Sequence, residues 1–498
     1  MMGNLVNIGG VLVNPYRAGG YDGAQITRKR RLKARHISRS QDEDRLIGKT
    51  DRETLRLECL HLRRNNSVVA GVCERFADNV VGPDGILPQA KTASQDWNDQ
   101  AESYWREWSK VADYRGLFSL REIQRLVVQS RLHSGEIGFI LTDGGQIQAI
   151  EPDRIATPSD KDNDPDTIEG IGLAASGRPA TYYVCDRKRD GYVDTKTSAA
   201  IAARDFIHIY RPIRFDQLRG VPDLAPVVNT LADHSDLTEA ILWQARLNAR
   251  RSAVVTTSQG SDTKGMLGPR NATPQNSDSG QQYESFGDEM LTYYLNTGED
   301  VKLLGSDTPG SNYIEHNIFL LKLIGAAFSI PYQFLMLDFS VGGAGNNRAA
   351  LLQTHRTFDT WQAWAVDKFL ARLWNWRIAK AIKAGEIPPA PIDSRGYSEW
   401  YKVEWQPPDY GWIDPQKEAD ANLKEWKLSA KTLSEISGGR DEEDLLTHKA
   451  ATIETAARAA AAVNARAGTN LTWRDLIDVA MPGQMPAQNN GATNEPSN

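Results

Sequence analysis

The chain has little of what protein chemistry usually requires. Only three of its 498 residues are cysteine (Cys59, Cys73 and Cys185), and none stands in a CxxC pair. That excludes a zinc ribbon, a redox dithiol or a disulfide-stapled secreted scaffold, and a reducing cytosol fits best. The eight histidines form no HExxH, and no GxSxG elbow occurs. "GLAASGRP", 172–179, has the glycine spacing of a phosphate loop, but Arg178 and Pro179 stand where Lys and Ser or Thr should be, so it reads as a turn flanked by strands. Acidic residues such as Asp233, Asp236, Asp288 and Glu289 show no metal-ligand or acid/base spacing, so no catalytic residue, metal or cofactor is expected. Long apolar runs are missing too. The nearest, "NIFLLKLIGAAFSIPYQFLML" at 317–337, is interrupted by Lys322, Ser329, Pro331, Tyr332 and Gln333, whereas a bilayer span needs about 20 apolar residues. A buried helix is expected there, and no membrane partner. "MMGNLVNIGGVLVNPY" lacks the basic stretch of a targeting segment.

What is present describes a soluble globular protein, with 40% hydrophobic and 24% charged residues and thirteen tryptophans for packing. The length exceeds one ordinary core, so two or more compact regions are expected. The net charge of −6 hides an asymmetry: "RKRRLKARHISR" at 28–39 carries seven basic residues (Arg28, Lys29, Arg30, Arg31, Lys33, Arg35 and Arg39) and no acid. Such a run is a solvated peripheral arm, able to lie against phosphates or an acidic partner surface.

Periodicity predicts an α+β, mainly helical chain without regular βαβ alternation. Helical spacing runs through 51–80 (Leu55, Leu62, Val69, Val72, Phe76), around "WNDQAESYWREW", and from "SLREIQRL" to Gly135, where an alternating strand takes over. Short strands are expected near 146–151, 180–185 and 205–210. A long helix at 223–250 and another at about 312–330 flank strand-like "SAVV" and "MLTYYL" with a polar loop between them. These short strands cannot bury both faces alone, so they are expected to pair or pack across subunits.

One stretch stands apart, "FSVGGAGNNRAALLQ" at 339–353. Three glycines and two asparagines within six positions form a soft loop, with Gly342, Gly343 and Gly345 free to take unusual backbone angles. A helix of roughly 37 residues, about 55 Å, is expected from Asn347, capped by Asn346 or Asn347. Its stripe is Leu351, Phe358, Trp361, Ala365, Phe369, Leu373 and Trp376, a core face. Further helices are predicted from Pro415 to about 465, and a Pro, Gly, Asn and Gln-rich tail from 483.

The order of features from about Tyr21 to Lys449 resembles the lambda-type portal proteins of tailed bacteriophages. The marks are "YDGA", "RNNSVVAGVCERFADNVVG", "WREW" with "SLREIQRLVVQSRLHSGE", "IEPDRI", "GRPATYYV", "DFIHIYRPIRFDQLRGVPDLAPV", "TGEDVKLL", "IPYQFLMLDFS", "NNRAALLQTHRTFDTWQ" and "WIDPQKEADAN". Each is weak alone; their collinearity is specific.

The resemblance implies a dodecameric ring of this chain at one capsid vertex, through which a terminase drives double-stranded DNA without sequence preference. The implied partners are the terminase, the major capsid or scaffold protein and the head-completion or neck proteins, with assembly in the host cytoplasm. It implies a basic arm (1–50), a wing (51–220), a stem helix (221–250), a clip (251–310) and a second stem helix (311–330). There follow a tunnel loop (331–348), a long helix with the rest of the wing (349–413), crown helices (414–465) and a flexible tail (466–498). Val341, Gly342, Gly343, Gly345, Asn346, Asn347 and Arg348 are then the channel residues, and Met290, Tyr293 and Tyr294 the docking surface of the clip. The family often carries Tyr-Ser-Ser-x-Arg at the loop's end, where this chain has Gly345, Asn346, Asn347 and Arg348. The alternatives are a metal-dependent nuclease of DNA packaging, whose carboxylates converge only on folding, and another capsid or neck protein.

Overall fold

A computed structural model describes residues 6–8, 11–13, 44, 47–256, 275–276, 282–286, 290–295, 311–340, 343–408, 410, 415–436, 442–468 and 470–474. Arg28 to Arg39 and the residues Val341 and Gly342 lie outside them. The chain divides into two units, Met1–Pro408 and Asp409–Asn498.

In the first unit a small hairpin, β1 (Val6–Ile8) and β2 (Val11–Val13), precedes α1 (Lys49–Asn65) and α2 (Ser67–Val80). Asn66 separates the helices. Its side chain accepts from Val68 N and Val69 N, capping α2, while its amide donates to Ser235 Oγ at 3.0 Å. After β3 (Leu87–Ala90) come α3 (Gln95–Ser109) and α4 (Leu120–His133), the latter started by a Ser119/Glu122 capping box. Gly135, at φ +84, then turns the chain into β4 (Glu136–Leu141), the change of period expected there.

Strands β4, β5 (Ile147–Ile150) and β10 (Phe206–Tyr210) form one sheet in the order β10-β4-β5. Between β5 and β10, β6 (Thr167–Ile168), β7 (Ile171–Leu173), β8 (Pro179–Arg187) and β9 (Val193–Ala202) form a meander. The phosphate-loop lookalike is the β7–β8 turn, closed by Ala174 N donating to Arg178 O at 2.9 Å.

Helix α5 (Val228–Arg250) leads to β11 (Arg251–Thr256), β12 (Gln275–Asn276), β13 (Gln282–Phe286) and β14 (Met290–Leu295). These strands pair with one another within the chain. β14 is flanked by β11, in parallel, and β13, antiparallel, because the intervening residues supply the third strand within the same chain.

Next come α6 (Ser311–Ala327), α7 (Tyr332–Met336) and α8 (Ala344–Ala365), which continues through a π-helical turn, Val366–Leu370, into α9 (Ala371–Ala384). The predicted stripe is buried at Phe358, Trp361, Ala365, Phe369 and Leu373. Leu351 and Trp376 are half-buried, Trp376 packed against the core, while Trp374 is fully enclosed. The wider π turn advances the inward face by one residue, a shift that a 3.6 period cannot anticipate. β15 (Val403–Gln406) returns to pair with β3, from Ala90 opposite Val403 to Leu87 opposite Gln406.

Trp97, Trp105, Trp108, Trp361 and Trp374 are core residues. Trp105 lies 4.9 Å from Trp108 and 5.2 Å from Trp374 between ring centroids, and Phe139 stacks on Phe369 at 4.9 Å. The indoles of Trp97, Trp108 and Trp374 donate to the carbonyls of Pro388, Gly145 and Trp400. A second aromatic group, Phe76 with Phe328, Phe358 and Trp361, ties α2 to the end of α6 and to α8. All three cysteines are buried thiols without disulfides, and burial pushes Cys73 up to about 12. The second unit comprises α10 (Pro415–Lys427), α11 (Leu433–Ile436) and the alanine-rich α12 (Glu442–Ala467). Among the described residues no helix is long and apolar enough to cross a membrane.

Candidate nucleic-acid interface

The soft stretch lies between α7 and α8, and its approach is tightly built. After α6 the chain turns at Ser329, with φ +56, and Ile330 N donates to Gly325 O at 2.9 Å. A Cβ at Gly325 would stand 2.6 Å from Ile330 O, so glycine is needed for this close return. Pro331 then starts α7, which ends on Leu337 in the left-handed region, with Asp338 N donating to Gln333 O. Asp338 Oδ1 accepts from Ser340 N and Oγ, and these bonds hold its carboxyl below its ordinary pKa. Leu337 and Phe339 are 57% and 42% exposed.

The loop is shorter than the sequence implied. Gly345, Asn346, Asn347 and Arg348 belong to the first turns of α8, which begins at Ala344 rather than Asn347. Neither asparagine caps the helix. Gly343 is the N-cap, with φ −77 and ψ 167, and Asn347 Nδ2 donates back to Phe339 O at 3.0 Å. Gly343 therefore has a backbone open to any residue, and neither it nor Gly345 has an atom within 4 Å of an added Cβ. The presumed need for unusual angles is corrected at both positions. Exposed helix starts leave backbone N–H groups without intrahelical partners, and that preference for partial negative charge suits a phosphate as readily as water. Met290, Tyr293 and Tyr294 lie in β14, away in sequence from this loop.

Sequence reasoning missed the joint that sets the meander and the β4 sheet against the start of α5. Gly135 and Gly220 meet there. A Cβ on Gly220 would be 2.3 Å from Gly135 O, and one on Gly135 would be 2.4 Å from the Val221 carbonyl carbon. This approach brings Arg219 to Glu136, with Nε 2.9 Å and Nη2 2.5 Å from Oε1, and Gly220 N donates to Oε2 at 2.7 Å. The Arg219 guanidinium also donates to the carbonyls of Ile155, Glu169 and Pro152. Asp44 accepts from Leu218 N and Arg219 N and pairs with Arg52, which also bonds Glu169. The visible signals were "SGE" and "RGVPD", two of the family marks, but nothing in one sequence pairs segments so far apart.

The charges at this joint respond differently to burial. For Glu136, burial alone raises the pKa, yet Arg219 and His208 (Nε2 to Oε2, 2.9 Å) outweigh it and hold the carboxyl far below the ordinary range. Burial wins at Asp44 and Glu169, whose pKa values are raised. A depressed carboxyl pKa contributes stability that is present above the unfolded value and lost as pH falls toward the folded one. The stability gap between wild type and Glu136→Gln, followed by urea unfolding, should therefore be widest near neutrality and shrink as pH drops below about 4. A constant gap from pH 7 to pH 3 would remove this charge account.

Among the described residues no three His, Cys, Asp or Glu side chains converge as a metal site. Residues 28–362, about two thirds of the chain, match the family described as phage portal protein, lambda family. The chain belongs to that family. The joint of "SGE" with "RGVPD", α7, the loop and α8 as far as Gln362 all fall inside the matched residues. A portal relative, the probable portal protein of Halomonas phage phiHAP-1, is 24% identical over 456 residues, covering 84% of each chain. Among solved structures, the neck of an empty gene transfer agent particle computed with C6 symmetry aligns at 16% identity and TM-score 0.44, covering 76% of this chain and 90% of that one. The neck of the native particle computed with C12 symmetry aligns at 15% identity and TM-score 0.39, covering 76% and 92%. This portal-family chain is thus a head-tail connector component, a structural class.

Proposed function

We propose that the chain forms the ring at one capsid vertex, twelve copies in the virion, through which double-stranded DNA enters during packaging and leaves at ejection. The family match over residues 28–362 carries this reading. The loop Leu337–Gly343, held between α7 and α8, is the part that meets DNA, and the helix start at Gly343 to Arg348 flanks it. Sequence-independent passage needs few cationic contacts, since each neutralised phosphate adds affinity and friction. The strands around Met290, Tyr293 and Tyr294 form the face for the terminase and the neck proteins. The arm at Arg28, Lys29, Arg30, Arg31, Lys33 and Arg35 lies outside the described residues and is assigned to capsid or scaffold contact. The ring acts without catalysis of its own.

The loop gives the test. Gly343, at φ −77, lies near the angle proline imposes, and its N–H precedes the helix, so Gly343→Pro stiffens the loop without unfolding α8. Rings and capsid docking should be normal, while DNA packaged per particle in an in vitro packaging reaction should fall severalfold. Arg348→Glu should give a milder defect that diminishes with added salt, one phosphate contact per copy being at stake. Packaging by Gly343→Pro at the wild-type rate would take the loop out of the conduit.

A further inference from the structure

A cleft of about 460 Å³ opens where the start of α5, the end of α6 and the middle of α8 meet the segment after β10. Its charge is unbalanced. Arg131, Arg211 and Arg356 line it, against the single carboxylate of Asp223. Arg131 is fixed in place, with Nε 2.9 Å from Asp223 Oδ2 and its guanidinium 3.5 Å and 4.5 Å from the ring centroids of Trp361 and Trp364. Arg211 reaches Asp223 only at 3.6 Å. Arg356 is exposed and meets no acid among the described residues. Burial, opposed by Asp223 and reinforced by the charge of Arg211, lowers the Arg131 pKa to about 10. The cleft therefore holds preset, undercompensated cations.

We infer that this cleft receives carboxylates from the stem helices, α5 and α6, of a second copy of the chain. The inference rests on the ring reading above. In a closed ring each copy offers its neighbour a face different from the one it receives, so unbalanced charge on one face finds its complement on another. The complement is present: Asp236 and Glu239 on α5 and Glu315 on α6 are exposed and have no partner among the described residues. The chain as a whole is acidic, at −6. A guanidinium fork matches a carboxylate closely, and a single side chain can enter to reach the buried Arg131. A duplex backbone is too broad to do so. Charge pairing of this kind fixes register between copies as well as affinity.

Sedimentation velocity of the full chain over a range of subunit and salt concentrations tests this. Arg356→Glu should raise the concentration at half-assembly by about tenfold or more, with the unfolding midpoint of the single subunit unchanged. The variant Asp236→Asn, Glu239→Gln, Glu315→Gln should show the same shift. Wild-type assembly should weaken with sodium chloride more steeply than either variant. Rings formed by Arg356→Glu at wild-type concentrations overturn the inference and leave the ring reading intact. A wild-type chain that stays monomeric overturns both. Normal assembly of Arg356→Glu with loss of packaged DNA would assign the cleft to phosphate and overturn the carboxylate.

Discussion

Replacing Arg219 with methionine is expected to lower the stability of the first unit by about 3–5 kcal/mol, the cost of leaving a buried carboxylate without its cation. Glu136 is enclosed, and Arg219 supplies its nearest bonds. The same change strands the carbonyls of Pro152 and Ile155 in the interior. Removing both charges, with Arg219→Met and Glu136→Leu, should cost far less than Arg219→Met alone, because the desolvation of Glu136 disappears with its charge. Urea unfolding of the four proteins in the double-mutant cycle measures this. Equal losses in the single and double variants would mean that the guanidinium matters for its carbonyl bonds and not for Glu136. Ring formation should fail in Arg219→Met at urea concentrations where wild-type rings persist.

The second large effect lies on α5 and α6. Burial along α5 stops after Leu231, leaving Leu242 and Trp243 exposed, Trp243 by 57%. On α6, Ile314, Leu323 and Phe319 are exposed, Phe319 by 54%. Apolar side chains recurring along two helices form a surface that soluble proteins normally cover. In a ring, neighbouring copies cover it. Trp243→Glu and Phe319→Glu should each abolish rings, as charges placed in a desolvated contact, while changing the unfolding free energy of the single subunit by no more than about 0.5 kcal/mol. Native mass spectrometry reads the assembly state directly. Intact rings in both variants would mean that these residues face solvent or another partner in the assembly.

The sequence was most legible where one local rule acted alone. Gly135 marked the change from helix to strand, and Arg178 with Pro179 a turn instead of a phosphate site, whereas the helix expected to run to Pro331 ends at Ala327 and Pro331 caps the next one. It was least legible where the answer depends on distant partners. β3 contains Pro88 and was not among the expected strands; it pairs with β15, more than 300 residues on. Trp374 is fully enclosed and Trp376 half-buried beyond a π turn that the periodicity of the sequence does not announce. At the candidate site, the cluster at Gly342 to Asn347 was visible, but its division between loop and helix was not. Glycine lowers helix propensity, yet the first turn of α8 forms through Gly345 with Asn347 bonded back to Phe339. The joint of Glu136 with Arg219 was present only as two short motifs, and their meeting required the fold.

Cryo-electron microscopy of the purified full chain, with and without bound DNA, bears most directly on the conduit. The account predicts closed rings with an axial hole, the segment Leu337–Gly343 of every copy at the narrowest part of that hole, and the stem helices α5 and α6 packed between neighbouring copies. Rings that carry this segment on their outer surface, or particles with no axial opening, would contradict it.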